Sequence, residues 1–296
     1  MSHLGIAVAQ LPVVGAPDAK AQAARLREVR AGAPQAELIV CPELSLTPPL
    51  QSDGGVASVE QLALEGAELQ DMVAGHADLA RELGVWLIPG TAYERDVDGR
   101  VFNVARIYSP DGKCAATYRK IAPWRPFETC ASGNSFTVVD LPGKGRLGVL
   151  ICYDMWFPEL PRQLAWMGAD AIVILTLTPT SDREQEVALA RAHAIANQAF
   201  VINVNGAAPG GLGRSIVFDP EGRTRTHAPG AEECVLTDVI DLGEAQRVRE
   251  QGTAGLNRLW HQFGDTDDLV QLPLYQARID PQRWRQAAST NKNPTR

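Results

Sequence analysis

Positive charge is in short supply. The chain has 28 Lys and Arg against 35 Asp and Glu, a formal net charge of −7 at neutral pH. A phosphate backbone is held by clustered Lys and Arg, so this balance argues against a nucleic-acid partner. Long apolar runs are missing as well. A bilayer span takes about 18 consecutive apolar residues, whereas the longest run here, AIVIL from Ala171, has the length of a strand. No membrane partner is expected. The opening residues MSHLGIAVAQ carry no basic segment, no apolar stretch of signal length and no small-residue cleavage site, which makes a cytoplasmic address the default. Cysteine is sparse and scattered. The five, at 41, 114, 130, 152 and 234, form no C-x-x-C pair, so the usual zinc and redox spacings are absent and the thiols should be reduced. No Pro/Gly/Ser-rich linker divides the middle of the chain.

What is present is alternation of strand and helix patterns. GIAVAQLP reads as a first strand and residues 17–31 as an amphipathic helix after Pro17–Asp18. ELIVCPEL follows as a strand, residues 56–83 as one long helix ending at the C′ glycine Gly84, and VWLIPGTAYER as a third strand. Asp98-Gly99 and Asp111-Gly112 mark two hairpin turns within RDVDGRVFNVARIYSPDGKCAATYRK. FTVVDLP, RLGVLIC, DAIVILT, FVINVN, SIVFDPEGRTRT and CVLTDVI complete the strands. Between them lie a helix from Pro158 to Gly168 and a helix over SDREQEVALARAHAIANQA, where Ser181 and Glu184 fit a capping box. IYSPDGK and VFDPEGR echo one another, each a strand, a Pro-acid-Gly turn and a base, as two similar halves would show. Strands alternating with helices, interrupted by hairpins, predict an α/β fold with two mixed β-sheets packed face to face. One domain over residues 1–274 is expected, with residues 275–296 as a C-terminal arm or tail.

Three apolar strands end on a reactive group: LIVCPE on Glu43, AATYRK on Lys120, GVLIC on Cys152. Each has an ordinary reading, as a solvated acid, a surface lysine and a buried filler thiol. Together they make a coherent set for acyl transfer. A thiol needs a base to become a nucleophile. None of the five histidines stands in a cysteine-protease context, and His193 lies mid-helix among apolar neighbours as a core histidine would. A buried carboxylate can serve instead, because burial raises its pKa toward the working range, and an ammonium stabilises thiolate and oxyanion.

In order and spacing, Glu43 in CPELSLTP, Lys120 in YRKIAPW and Cys152 in ICYDMWFPE resemble the Glu-Lys-Cys triad of the nitrilase superfamily of carbon–nitrogen hydrolases. The likeness runs from GIAVAQ through the SIVFDPEGR hairpin. It implies a four-layer αββα sandwich with helices outside, commonly paired with another subunit into a homodimer or higher homo-oligomer, and neither metal nor organic cofactor. YRKIAPWRPFE is similar to the aliphatic amidase and formamidase form of this loop, which implies that Glu128 positions Lys120 and substrate and that Trp124 lines the pocket. Tyr153-Asp154 resembles the amide-cleaving branches. Tyr153, through its backbone N–H, and Trp156 complete the expected substrate contacts. Met155 and Trp156 stand where carbamoylase-like members place arginines, and Arg125 reads as solvated. The resemblance implies hydrolysis of a small-to-medium primary amide to acid and ammonia through a cysteinyl thioester. An N-carbamoyl amide hydrolase is the alternative, followed by a nitrile-hydrolysing enzyme and by a non-catalytic binding module. GGLGRS near Gly210 matches no phosphate-loop pattern.

Overall fold

The structure is a computed structural model that describes residues 2–13, 19–46, 58–280 and 282. Strand β1 (His3–Gln10) is followed by β2 (Leu38–Val40), β3 (Trp86–Ile88), β4 (Thr91–Arg95), β5 (Val101–Tyr108) and β6 (Cys114–Arg119) in a first sheet. Six strands make the second: β7 (Val138–Leu141), β8 (Gly145–Ile151), β9 (Ala171–Thr176), β10 (Phe200–Asn205), β11 (Ile216–Phe218) and β12 (Thr224–His227). Then β13 (Cys234–Asp241) returns to the first sheet, antiparallel along β1. Each sheet has a parallel centre, β1-β2-β3 in one and β8-β9-β10 in the other, with antiparallel flanks. The α-helices are α1 (Ala19–Gly32), α2 (Val59–Leu62), α3 (Gly66–Leu83), α4 (Glu159–Trp166), α5 (Arg183–Asn197) and α6 (Gly243–Gln251), and a hairpin of β14 (Val270–Leu272) and β15 (Ala277–Ile279) follows among the described residues.

The strand period of two explains the layering. Along β1, Leu4, Ile6 and Val8 join one core cluster with Val149 of β8 and Ile174 of β9, which packs the sheets against each other. The intervening Ala7 and Ala9 belong to a second cluster with Leu26 and Val29 of α1 and Leu79 and Ala80 of α3. On the far side, Leu164 of α4 and Ala190 and Ala194 of α5 pack onto the second sheet. Strands buried on both faces read as near-continuous apolar runs, and β9 and β10 are buried at every position. The order is helix, sheet, sheet, helix, the expected αββα sandwich. Among the described residues, no helix is long and apolar enough to cross a membrane.

Several local expectations change. The helix read over 56–83 breaks at residues 63–65, because the Leu64 N–H donates to the Tyr93 carbonyl at 2.8 Å and the Leu64 carbonyl accepts from Arg95 at 3.0 Å, an added bridge to β4. The short α2 before it has its own capping box, Ser58 with Gln61. Residues 56 and 57, like Pro17 and Asp18, lie outside the described residues. VWLIPGTAYER is two strands, β3 and β4, divided at Pro89–Gly90. Gly90 has φ +106, and a Cβ there would come within 2.4 Å of the Pro42 carbonyl oxygen, so this glycine lets the two loops meet. The Ser181–Glu184 capping box does not form: the N-cap is Asp182, and Glu184 pairs with Arg214 instead. The Asp98-Gly99 and Asp111-Gly112 turns, the Gly84 cap in left-handed conformation and the α4 span are as read. The echoing segments join β5 to β6 in one sheet and β11 to β12 in the other. A boundary at residue 275 would divide the β14–β15 hairpin; residues 281 and 283–296 lie outside the described residues.

Candidate active site

The three reactive groups follow strand ends on one edge of the sandwich. Glu43 comes three residues after β2, Lys120 directly after β6, and Cys152 directly after β8. Such edges collect functional groups, because chain direction reverses there and loops can converge. Lys120 Nζ sits between two carboxylates, 3.0 Å from Glu43 Oε1 and 2.6 Å from Glu128 Oε2. Cys152 lies close enough to Glu43 and Lys120 for the charges of both to act on its thiol. Glu43, Lys120 and Glu128 are all buried, while Cys152 is half-buried. The structure thus brings all four sequence-predicted polar groups together.

Backbone and neighbouring side chains fix them. Cys152 opens a 3-10 turn (Cys152–Trp156) with φ +48, a left-handed conformation that costs a non-glycine residue roughly 1–3 kcal/mol. Asp154 holds this bend: its Oδ2 accepts the Ile151 N–H at 2.9 Å and the Tyr118 hydroxyl at 2.7 Å. Its Oδ1 accepts the Ala122 N–H at 2.7 Å, which ties the cysteine turn to the loop after Lys120. His193 is buried, and its Nε2–H donates to the Met155 carbonyl at 2.6 Å, so it supports the same turn from behind as a core histidine. Glu128 receives the Trp124 N–H at 2.9 Å. Asn103, fully buried on β5, donates its Nδ2 to Glu43 Oε1 and to Glu128 Oε1, both at 2.9 Å. The Tyr93 hydroxyl adds a longer bond to Glu128 at 3.4 Å.

Sequence reasoning missed Asn103, Tyr93 and the clamp made by Asp154. Asn103 left a signal: VFNVARIY places one amide inside a strand whose other early positions are apolar, and a buried polar side chain needs partners. Tyr93 left none.

The electrostatics follow from two carboxylates and a thiol facing one ammonium. Burial pushes the Glu43 carboxyl above the usual carboxylate range; the Lys120 charge opposes this, and the nearby Glu128 charge adds to it. Burial acts on Glu128 too, but the Lys120 charge and the bonds from Lys120, Trp124 and Asn103 outweigh it and hold Glu128 low. Burial alone would depress Lys120, yet the negative charges of Glu43, Cys152 and Glu128 keep it well above the ordinary lysine value. Burial and the Glu43 charge raise the Cys152 thiol well above its usual value, with Lys120 opposing. The resting thiol therefore keeps its proton.

Above Cys152 lies a pocket of about 280 Å³ of empty space, part of it open to solvent. Trp124, Tyr153 and Trp156, the expected substrate contacts, all line it. Trp124 is about two-fifths exposed and packs on Phe127 with ring centres 4.6 Å apart. Tyr153 stacks between Trp156, at 6.0 Å, and the edge of Phe157, at 5.4 Å. Arg125 is exposed and spends a guanidinium N–H on the Cys130 carbonyl. Leu177, Thr178, Asp182 and Glu186 line it as well.

A family model described as carbon–nitrogen hydrolase matches residues 5–250. Formamidases of Bacillus thuringiensis and Bacillus anthracis are each 33% identical to this chain over 182 residues, 61% of this chain and 53% of theirs. The chain thus spans about half the length of the curated relatives it matches. Among solved structures, Nit3 of Saccharomyces cerevisiae, a member of branch 10 of the nitrilase superfamily, is 27% identical with a TM-score of 0.72, covering 84% of this chain and 94% of that one. A carbon–nitrogen hydrolase of Helicobacter pylori gives 24% and 0.72, covering 84% and 92%. A mutant amidase of Nesterenkonia sp., carrying the acetamide moiety of fluoroacetamide on its active-site cysteine, gives 22% and 0.69, covering 82% and 92%. The last two are likenesses of fold.

Proposed function

The chain belongs to the carbon–nitrogen hydrolase family, and from that premise we propose that it hydrolyses a small-to-medium primary amide to a carboxylic acid and ammonia through a thioester on Cys152. The observation that carries this reading is the charge set behind the pocket: Lys120 Nζ bonded to the buried Glu43 carboxylate at 3.0 Å, with the pocket-lining Cys152 thiol in the field of both.

Each group has work in the reaction. Glu43 takes the thiol proton as sulfur attacks the amide carbonyl carbon, and the carbonyl π pair moves onto oxygen. The Lys120 ammonium and the Tyr153 backbone N–H stabilise that oxyanion; one such donor is worth about 3 kcal/mol. The C–N bond then breaks as Glu43 passes its proton to the departing nitrogen, leaving ammonia and the thioester. Glu43 next takes a proton from water, hydroxide adds to the thioester carbonyl, and sulfur leaves with a proton from Glu43. One carboxylate thus alternates between base and acid, which its raised pKa favours. Glu128 holds Lys120 in place and helps orient the substrate amide. Nothing in this sequence calls on a cofactor.

Incubation of the protein with an amide panel, followed by mass spectrometry of Cys152 and an ammonia assay, tests the reading. An acyl adduct on Cys152 together with ammonia release is expected. Carbon dioxide released alongside ammonia would replace it with the N-carbamoyl reading; absence of both adduct and ammonia across the panel would leave a binding module. A cytoplasmic homo-oligomer belongs to the same proposal, and light-scattering mass tests the association.

A further inference from the structure

One carboxylate in the pocket wall has no part in the chemistry just described. Glu186, near the start of α5, lines the pocket beside Thr178, yet its side chain is only 2% exposed. Its Oε2 carries two bonds, from the Thr178 hydroxyl at 2.8 Å and from Arg183 Nη1 at 3.0 Å. Among the described residues, no hydrogen bond falls on Oε1.

The charged groups that line the pocket itself are acidic. Asp182 also lines the pocket, and no Lys or Arg does. Arg183 is the nearest cation; its Nη1 is spent on Glu186 Oε2, and its Nε and Nη2 go to the Gly213 carbonyl at 3.0 Å and the Arg214 carbonyl at 2.9 Å, so among the described residues no cation is bonded to Oε1. The remaining walls are aromatic or aliphatic: Trp124, Tyr153, Trp156 and Leu177. This environment is hostile to a carboxylate on the acyl chain and favourable to a cation that reaches past the rings to Glu186.

Resting on the amidase reading, we propose that the substrate is an amide whose acyl chain ends in an ammonium group, and that Glu186 is the residue that recognises it. The apolar walls take the methylene chain, and Glu186 Oε1 accepts from the terminal N–H. The field of Glu186 also contributes to keeping the thiol protonated. A bound ammonium would offset that field, so the right substrate both fills the pocket and eases deprotonation of Cys152. The same acidic wall disfavours N-carbamoyl amino acids, which bring a carboxylate.

The experiment compares kcat/KM of the full chain for δ-aminovaleramide, for hexanamide, its neutral isostere, and for the monoamide of glutaric acid. The ammonium amide should lead hexanamide by about tenfold or more, the worth of one charge-assisted hydrogen bond, with the acid monoamide last. In Glu186→Gln the ratio of ammonium to neutral amide should fall toward one. Because Glu186 also holds Arg183, that variant can lose its fold. Competitive inhibition of the wild type by butylammonium, compared with butanol, then reads the same preference without mutation. Equal kcat/KM for the ammonium and neutral amides, a ratio that survives Glu186→Gln, or equal inhibition by the two butyl compounds overturns this inference and leaves the amidase reading standing. No turnover of any amide and no adduct on Cys152 overturns both.

Discussion

Glu43 is bonded to Leu177 across the two sheets: its Oε2 accepts the Leu177 N–H at 3.1 Å, although the residues lie 134 positions apart. Glu43 follows a strand of the first sheet, and Leu177 follows β9 of the second. A reciprocal backbone bond, from the Glu43 N–H to the Thr176 carbonyl at 3.3 Å, closes the same junction. The proposed base is therefore set by the sandwich itself, and its free motion is limited by both layers. With Oε2 committed to backbone, Oε1 is left to Lys120 and Asn103.

Because that frame does not depend on sulfur, Cys152→Ala should fold normally. Its far-UV circular dichroism and Tm should stay near wild type while turnover falls by about 10⁶-fold. Hydrolysis by the purified variant at a measurable rate would remove Cys152 from the role of nucleophile.

The pH profile should show an acid limb set by Glu43. The base form is the ionised one, so kcat/KM declines as pH falls through its pKa. Burial raises that pKa, placing the midpoint above the ordinary carboxylate value. A limb at or below that ordinary value would separate the base role from Glu43.

Glu128→Gln removes a negative charge that helps raise Glu43, so the acid limb should move to lower pH. Lys120 loses a charged partner at 2.6 Å, and kcat should drop by about 10²-fold with KM changed less. Wild-type kinetics with an unmoved limb would reduce Glu128 to a structural acid.

Asn103→Ala should act in the opposite sense on the same limb. Each carboxylate loses a donor at 2.9 Å, the charged form of Glu43 is less well held, and the limb should move to higher pH. The stability cost should be about 1–3 kcal/mol by urea denaturation. A variant with the wild-type limb would show that Asn103 packs without positioning.

Asp154 gives a stability prediction of definite sign. Burial raises its carboxyl to about 6, against the bonds it accepts from Ile151, Ala122 and Tyr118. A carboxyl with a raised folded pKa stabilises the fold while protonated. That contribution is full below the unfolded value and is lost as pH rises through about 6, a change of about 3 kcal/mol. Asp154→Asn should remove this component and flatten the stability curve between about pH 4 and 7, while lowering stability overall because its amide N–H faces donors. Denaturant midpoints at both ends of the window check it; parallel curves for variant and wild type would assign the pH dependence elsewhere.

Much of the fold was legible because its signals are local. The buried strands are short apolar runs, Gly84 and Gly168 stop helices, and the glycines of the two Asp-Gly pairs take positive φ at hairpin turns. The errors fell where tertiary contacts outweighed local pattern. Residues 63–65 leave a helical reading because Leu64 gains a bridge to β4. Glu184 abandons a capping box because Arg214 lies beside it.

The sequence by itself determined the chemical inventory and its placement on strand ends: a carboxylate after LIVCP, a lysine after TYR, a cysteine after GVLI. Apolar periodicity and turn residues are properties of neighbouring positions, so they survive without a fold. Which groups meet was decided only by the tertiary structure. Asn103 bonding both carboxylates, Asp154 joining two loops, Leu177 fixing Glu43 and Glu186 facing the pocket are contacts between distant segments. Hydrogen bonds act over about 3 Å, and separation along the chain says nothing about that distance until the sheets have packed.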